Sequence, residues 1–245
     1  MLSTSAIEFI GITKKYSNSL AIDNLNISIP SGELFGFLGP NGAGKTTAMK
    51  IGAGLVRATS GKVKICGYEI ESSPLEAKRQ IGFVPDSPYI YESLTGREFL
   101  HYCAGLYRMK NSETIKRVEE LCDSFGIDEW IDRRAGEYSH GMKQRIVMAS
   151  AFLHRPKVIL IDEPMVGLDP AGVRLVKKIL TDFCDRGGSV FLSTHTLTNA
   201  EELCDRVAII KSGVIVKLEN MAEITSYNLP LEEVFLSLTS EDSKG

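Results

Sequence analysis

The chain has 245 residues, 43% of them hydrophobic and 24% charged, the composition of an ordinary globular protein with a substantial core. At this length one domain, or one core carrying a smaller subdomain, is expected. A formal net charge of −3 gives no electrostatic reason to expect nucleic acid or an anionic membrane as a partner. No apolar run approaches the roughly 18 residues of a spanning helix. The start, Met1 to Ala6, lacks the charged and apolar regions of a signal peptide, so a cytoplasmic location is expected. Cys66, Cys103, Cys122, Cys184 and Cys204 are widely spaced with no C-x-x-C pair, which predicts reduced, mostly buried thiols rather than a zinc or redox site.

Residues 7–29 read as strands joined by a turn at Asn18 and Ser19. Leu25, Ile27 and Ile29 alternate with Asn26 and Ser28, the period of a half-buried antiparallel strand. Tyr16 lies near that turn and has two readings that the residues alone leave open. It offers a face for an adenine ring, or it shields the core at a strand end.

Next comes an apolar run, Leu34-Phe35-Gly36-Phe37-Leu38, that reads as a buried strand. It leads into Gly39-Pro40-Asn41-Gly42-Ala43-Gly44-Lys45-Thr46-Thr47, and Ala48-Met49-Lys50-Ile51 opens a helix. Strand, glycine-rich turn and helix give G-x-x-x-x-G-K-T the setting of a phosphate loop. Glycines let backbone N–H groups wrap a polyphosphate, and the helix N-terminus adds unpaired donors and partial positive charge. Lys45 can then reach the β- and γ-phosphates, and the Thr46 hydroxyl can join a Mg²⁺ shell. Nucleotide binding is the expected function.

After a turn at Ala58 to Gly61, Lys62 to Ile65 resumes strand alternation, ended by Cys66-Gly67-Tyr68. Gln80 to Pro85 is a further short strand, closed by Asp86-Ser87-Pro88. Residues from about 88 to 137 change to helical spacing. Phe99, Tyr102, Cys103 and Leu106 share one face, a second helix runs through Ile115, Val118 and Cys122, and Trp130-Ile131 begins a third segment. An all-helical insert within an α/β chain is predicted, its aromatic stripe serving mainly as the insert's own core. Gly141 to Phe152 is a helix. Lys157 to Ile161 is a continuous apolar run of the kind found in parallel sheets. Helices at 171–186 and 198–204 lead to strands at 189–193 and 206–210, which argues for a parallel sheet with right-handed crossovers. Ser240 to Gly245 is expected to fray.

Asp162-Glu163 closes the run at 157–161. A carboxylate at the end of a buried strand beside a phosphate loop stands where a Mg²⁺–nucleotide needs it. Asp162 is expected to hold Mg²⁺ directly or through water, and Glu163 to orient or deprotonate the attacking water.

From Tyr16 to about Leu218 the chain resembles the nucleotide-binding subunits of ATP-binding cassette (ABC) transporters. Tyr138-Ser139-His140-Gly141-Met142, followed by Lys143-Gln144-Arg145, is similar to the family's signature L-S-G-G-Q, with Ser139 and Gly141 retained. Gly167-Leu168-Asp169-Pro170 is similar to its D-loop, and Ser193-Thr194-His195 to its switch-histidine loop. The resemblance implies that Ser139 and Gly141 point at the γ-phosphate held by an opposite subunit, while Ser139 can also act as a helix N-cap. It implies that Asp169 communicates across the dimer, that His195 senses the γ-phosphate, and that Tyr16 takes the adenine-stacking position. The chain departs from the pattern at Asp86, where the family has glutamine. A carboxylate there contacts the Mg²⁺ shell or simply closes a turn. It departs also at Tyr138, His140 and Met142, and histidine in place of glycine suggests a backbone at 140 that needs no positive φ.

The implied fold is α/β, a P-loop NTPase with a RecA-like core, an antiparallel β subdomain and an inserted α-helical subdomain. The expected organisation is one nucleotide-binding domain over 1–245, with the insert at about 88–137 and a short C-terminal extension at 220–245. The implied cofactors are ATP and Mg²⁺. The implied partners are an integral membrane permease and a second ATPase subunit, in a homodimer or heterodimer closed head-to-tail over ATP, with no nucleic acid. Such a subunit works peripherally on the inner face of the cell membrane, its docking groove near Asp86 to Tyr91. Leu231 to Leu238 resembles the short ending of exporter-type subunits, so export is expected. Two other classes compete. Soluble cassette ATPases acting on nucleic acid or the ribosome usually carry a long coiled-coil insertion or a second cassette, and neither is visible. A small-metabolite kinase leaves Tyr138–Met142 and Gly167–Pro170 unexplained.

Overall fold

The computed structural model describes residues 5–226 and 231–239. Two sheets face each other across a helix. The first is antiparallel, with β1 (Ser5–Tyr16), β2 (Ser19–Pro30), β4 (Ser60–Ile65) and β5 (Tyr68–Glu69) in the order β2-β1-β4-β5. The second holds β3 (Leu34–Leu38), β6 (Ile81–Val84), β7 (Val158–Asp162), β8 (Ser189–Thr194), β9 (Arg206–Lys211) and β10 (Val214–Asn220), in the order β10-β9-β3-β8-β7-β6. Its strands are parallel except β10, which returns antiparallel along β9. Every residue of β3, β7 and β8 is buried, as continuous apolar runs require when helices cover both faces.

The two faces of this sheet build two cores. Phe35, Phe37, Leu160 and Phe191 pack with Ala48 and Met49 of α1 (Lys45–Gly52) and with Ile7, Phe9 and Ile12 of β1. The ring of Phe191 sits among Phe9, Phe35 and Phe37, with centroids at 5.5, 5.8 and 5.3 Å. On the other face Leu38, Ile159, Ile161 and Leu192 join a core that takes in α3 (Gly96–Leu106), α4 (Asn111–Phe125), α5 (His140–Phe152), α6 (Pro170–Asp185) and α7 (Leu197–Leu203). The alternation of Asp162 with Ile161, and of Ser193 with Leu192, turns the Asp162 and Ser193 side chains toward the α1 face.

Several expectations need correction. Pro74–Arg79 forms a short helix, α2, and β10 is a strand; neither has a strong periodic signal. The segment opened by Trp130 is a series of turns and one 3₁₀ turn at Ala135–Glu137, with Gly136 inside it. The buried face of α3 carries Phe99, Leu100 and Ala104, while Tyr102 and Leu106 are exposed. This helix is apolar on more than one side, so spacing alone does not select the inner stripe. Tyr102 instead stacks edge-on against Tyr91, at 5.7 Å. The first turn lies at Ser17-Asn18, and Ser19 already belongs to β2. The last two helices, α8 (Met221–Ser226) and α9 (Leu231–Thr239), complete the described chain. The expected fraying of Ser240 to Gly245 lies outside the described residues. All five cysteines are free thiols, and Cys122, Cys184 and Cys204 are buried. Burial pushes the Cys184 thiol up to about 12, which keeps it protonated and inert.

Candidate active site

The loop between β3 and α1 is shaped by close backbone approaches. A Cβ on Gly39 would lie 2.5 Å from the Ile210 carbonyl oxygen, and one on Gly44 the same distance from that of Ala21. Gly44 also has φ +112°, a conformation closed to most side chains. The Gly213 N–H donates to the Ala43 carbonyl at 2.9 Å and ties the loop to the β9–β10 turn. Lys45 is buried at the first position of α1. Its Nζ folds back to donate to the carbonyls of Gly39, at 2.7 Å, and Pro40, at 3.2 Å. Burial pulls its pKa below the ordinary lysine value, against the opposing pull of Glu163 and Asp162. The ammonium is thus held at the rim of the loop by weak neutral acceptors, which a phosphate oxygen can replace with stronger charge-assisted bonds.

Asp162 ends β7 and is only 2% exposed. Its Oδ2 accepts the Thr46 hydroxyl at 2.8 Å. Its Oδ1 is buried with no hydrogen-bond partner among the described residues. A buried carboxylate oxygen left free beside a threonine hydroxyl is the donor set of a hard divalent cation such as Mg²⁺.

Glu163 follows in a left-handed conformation, φ +50°, which costs a residue with a Cβ about 1–2 kcal/mol. The Glu163 N–H donates to the Ser193 carbonyl at 2.9 Å and fixes that bend. The carboxylate is held from two sides: Oε1 lies 2.7 Å from His195 Nδ1, and Oε2 accepts from Thr194 Oγ1 at 3.1 Å.

Lys45, Thr46, Asp162, Glu163 and His195 line one cleft of about 550 Å³, together with Asn41, Gly42, Gly44, Thr47 and Asp86. Of the other loop residues, Ala43 is buried beneath and Pro40 is exposed beside it. Asp86 is exposed, and its Oδ1 accepts the Ser87 N–H at 2.9 Å, so the carboxylate both closes a turn and faces the cleft. Ser19, Leu20, Ala21 and Ser212 also line the cleft. The sequence carries no chemical signal for them, because they form the wall through backbone position in two hairpins. Tyr16 ends β1 opposite Ser19 and is 44% exposed, with Lys14 Nζ 4.6 Å from its ring centre. It stands beside this wall and is not among the residues lining the cleft.

Ser139, Gly141 and Asp169 lie outside the cleft and near one another. Ser139 caps α5, accepting the Met142 N–H at 3.3 Å. His140 opens that helix without a positive φ, as expected, and its ring abuts Gly167 so closely that a Cβ there would meet its Cδ2 at 2.6 Å. A Cβ on Gly141 would touch Leu168 at 3.4 Å. Asp169 caps α6, its Oδ1 accepting the Gly172 N–H at 2.8 Å. Tyr138 is buried, accepts the Gly96 N–H at 3.1 Å and faces the carbonyls of Trp130, Ile131 and Arg133 at 3.1–3.2 Å. That phenol ties the segment before α5 to the start of α3, which leucine could not do.

Residues 22–166 match the family described as ABC transporter. The chain is 37% identical over 220 residues to the uncharacterized ABC transporter ATP-binding protein YhcH of Bacillus subtilis, covering 89% of this chain and 71% of that protein. It is 35% identical to the bacitracin transport ATP-binding protein BcrA of Bacillus licheniformis, covering 87% and 69%. It is also 35% identical to a Nod factor export ATP-binding protein I of Burkholderia thailandensis, covering 86% and 70%. Two other relatives are longer still, and the chain spans 56% and 61% of their length. Among solved structures, the ATP-binding subunit of an ABC transporter superposes with TM-score 0.87 at 29% identity, covering 96% of this chain and 99% of that one. The Clostridium perfringens protein cbiO1, part of the ABC transporter complex cbiONQ, gives 0.82 at 26% identity, with 96% of each chain covered. The dimeric post-hydrolysis structure of the ATP-binding cassette MJ0796 with ADP and Pi gives 0.78 at 26%, covering 88% and 98%. The expected α/β P-loop NTPase fold is therefore the fold of this chain. It belongs to the ABC transporter family, as an ATPase.

Proposed function

We propose that this ATPase powers a transporter through a separate integral membrane permease, by closing head-to-tail with a second ATPase subunit over two ATP molecules. The observation that carries this reading is the separation of two half-sites. Lys45, Thr46, Asp162, Glu163 and His195 meet in one cleft, whereas Ser139 and Gly141 lie outside it at the start of α5. A hydroxyl and N–H groups at a helix N-terminus form an anion site, and in this arrangement they serve a triphosphate held by the opposing chain. Asp169, beside Gly141, then lies at the seam, and Tyr16 flanks the adenine. Residues 88–137 form the helical insert of its nucleotide-binding domain.

Asp162, Thr46 and, through its carboxylate at the rim, Asp86 would hold Mg²⁺ beside the bound nucleotide. When bound, that ion neutralises the charge gathering on the transferred phosphoryl group. Lys45 leaves the carbonyls of Gly39 and Pro40 for the phosphates. Glu163 takes the proton of, or orients, the attacking water, and His195 turns from Oε1 of Glu163 to the γ-phosphate. Closure and reopening follow because ATP contacts both halves only in the closed pair.

The permease docks beside Asp86 to Tyr91. There Tyr89, 71% exposed, stacks edge-on against Tyr91 at 5.6 Å, and Tyr91 against Tyr102 at 5.7 Å. No helix among the described residues is long and apolar enough to cross a membrane, in keeping with a peripheral subunit on the cytoplasmic face. The name of the Nod factor export protein supports export as the direction. The test is a pull-down of tagged Glu163→Gln from detergent-solubilised native cells with ATP present. A co-purifying multi-spanning membrane protein is expected. Ribosomal or DNA-associated proteins without a membrane partner would overturn the transport reading.

A further inference from the structure

Two side chains hold the Glu163 carboxylate, and they differ in their freedom to let go. His195 is exposed and follows the end of β8, so its bond to Oε1 can be exchanged for another. Thr194 is the last residue of β8, 2% exposed, in register with Leu38 of β3. Its χ1 is restricted by branching at Cβ and by the packed sheet around it. The hydroxyl also has its direction fixed. Thr194 Oγ1 accepts the backbone N–H of Thr196 at 3.1 Å and lies 3.1 Å from Glu163 Oε2. A hydroxyl has one proton, and the Thr196 N–H occupies one of its lone pairs, so that proton is directed at the carboxylate. On the other side Glu163 is constrained by its left-handed backbone and by the bond from its N–H to the Ser193 carbonyl at 2.9 Å. One carboxylate oxygen is therefore tied to the sheet through a rigid residue. The other is tied to a side chain that can move.

We propose that Thr194 is the positioning residue of Glu163, holding Oε2 in place so that Oε1 faces the attacking water once His195 has turned to the phosphate. The inference rests on the reading of Glu163 as the residue that activates water. Without the hydroxyl the carboxylate keeps its charge but gains torsional freedom at a site where it has no other fixed support. The loss then falls on the chemical step and not on ATP binding, since Thr194 does not line the cleft.

The test is steady-state ATP hydrolysis by the purified full chain, with nucleotide affinity measured separately by a fluorescent ATP analogue. Thr194→Val keeps the shape and deletes the hydroxyl, while Thr194→Ser keeps the hydroxyl. Thr194→Val is expected to lower kcat about tenfold, the worth of one hydrogen bond to a charged group, with KM and analogue affinity within about twofold of wild type. Thr194→Ser is expected to recover most of the lost kcat. The serine comparison matters because valine also orphans the Thr196 N–H, and a purely structural role would show as lost affinity and lowered thermal midpoint. Wild-type kcat in Thr194→Val, equal impairment in both variants, or a loss of affinity matching the loss of kcat would each overturn the proposal. Glu163→Gln is measured alongside. If it turns over normally, the base assignment falls and takes the role of Thr194 with it. If it is inactive while Thr194→Val is normal, only the role of Thr194 falls.

Discussion

Thr46 and Asp162 lie 116 residues apart and share a hydrogen bond of 2.8 Å, with the second oxygen of Asp162 buried and without a hydrogen-bond partner among the described residues. This contact joins the first turn of α1 to the end of β7 and sets the phosphate loop against the carboxylates. Asp162→Asn removes the charge and retains the shape. The expected result is a loss of about 10- to 100-fold in metal affinity. Titrating Mn²⁺ against the ATP-loaded protein by electron paramagnetic resonance checks it, and unchanged affinity would remove Asp162 from the metal shell.

Glu163→Gln is expected to bind ATP as tightly as wild type, lose turnover by about 10²–10⁴-fold and accumulate an ATP-bound dimer. Phosphate release and sedimentation velocity with and without ATP measure the two effects. Undiminished turnover would exclude Glu163 as the group that activates water.

In the proposed mechanism Lys45 exchanges the two neutral carbonyls of Gly39 and Pro40 for phosphate oxygens, so Lys45→Ala loses the charge-assisted contact. A decrease in ATP affinity of about 10- to 100-fold is expected, from the 1.5–3 kcal/mol typical of such a bond. Calorimetry decides it. Wild-type affinity would contradict the assignment of the loop.

Tyr138→Phe keeps the ring against Trp130 but strips the Gly96 N–H of its acceptor. The expected destabilisation is about 1–3 kcal/mol, read in denaturant titration. No change would mean that the phenol does not hold the segment before α5.

Glu33, between β2 and β3, is buried 3.4 Å from Arg206, and burial raises its carboxyl from 4.5 to about 7 despite that guanidinium. The folded state binds the proton more tightly than the unfolded state. The protonated group's contribution is therefore complete at low pH and is lost as pH rises from its ordinary value through about 7. Glu33→Gln mimics the protonated form. The difference in thermal midpoint between variant and wild type is expected to grow in the variant's favour across that window. A constant difference would show that Glu33 ionises alike in both states.

The sequence by itself determined the elements whose signals are contiguous. A glycine-rich turn between an apolar strand and a helix, and two carboxylates ending a buried run, are short-range patterns, because the backbone conformation and the strand's burial are dictated within a few residues. Tyr138-Ser139-His140-Gly141-Met142 was likewise legible as a resemblance, and the comparisons bear out the family it named. Only the tertiary structure decided which face of α3 turns inward, because that helix is apolar on several sides and the choice depends on what packs against it. It decided that Tyr138 is a buried strut, through carbonyls supplied by an irregular segment with no periodicity. It also decided that Glu163 is clamped between Thr194 and His195. Those bonds arise where β7 and β8 run side by side in the sheet, an adjacency between strands separated by α6 that spacing along the chain does not encode.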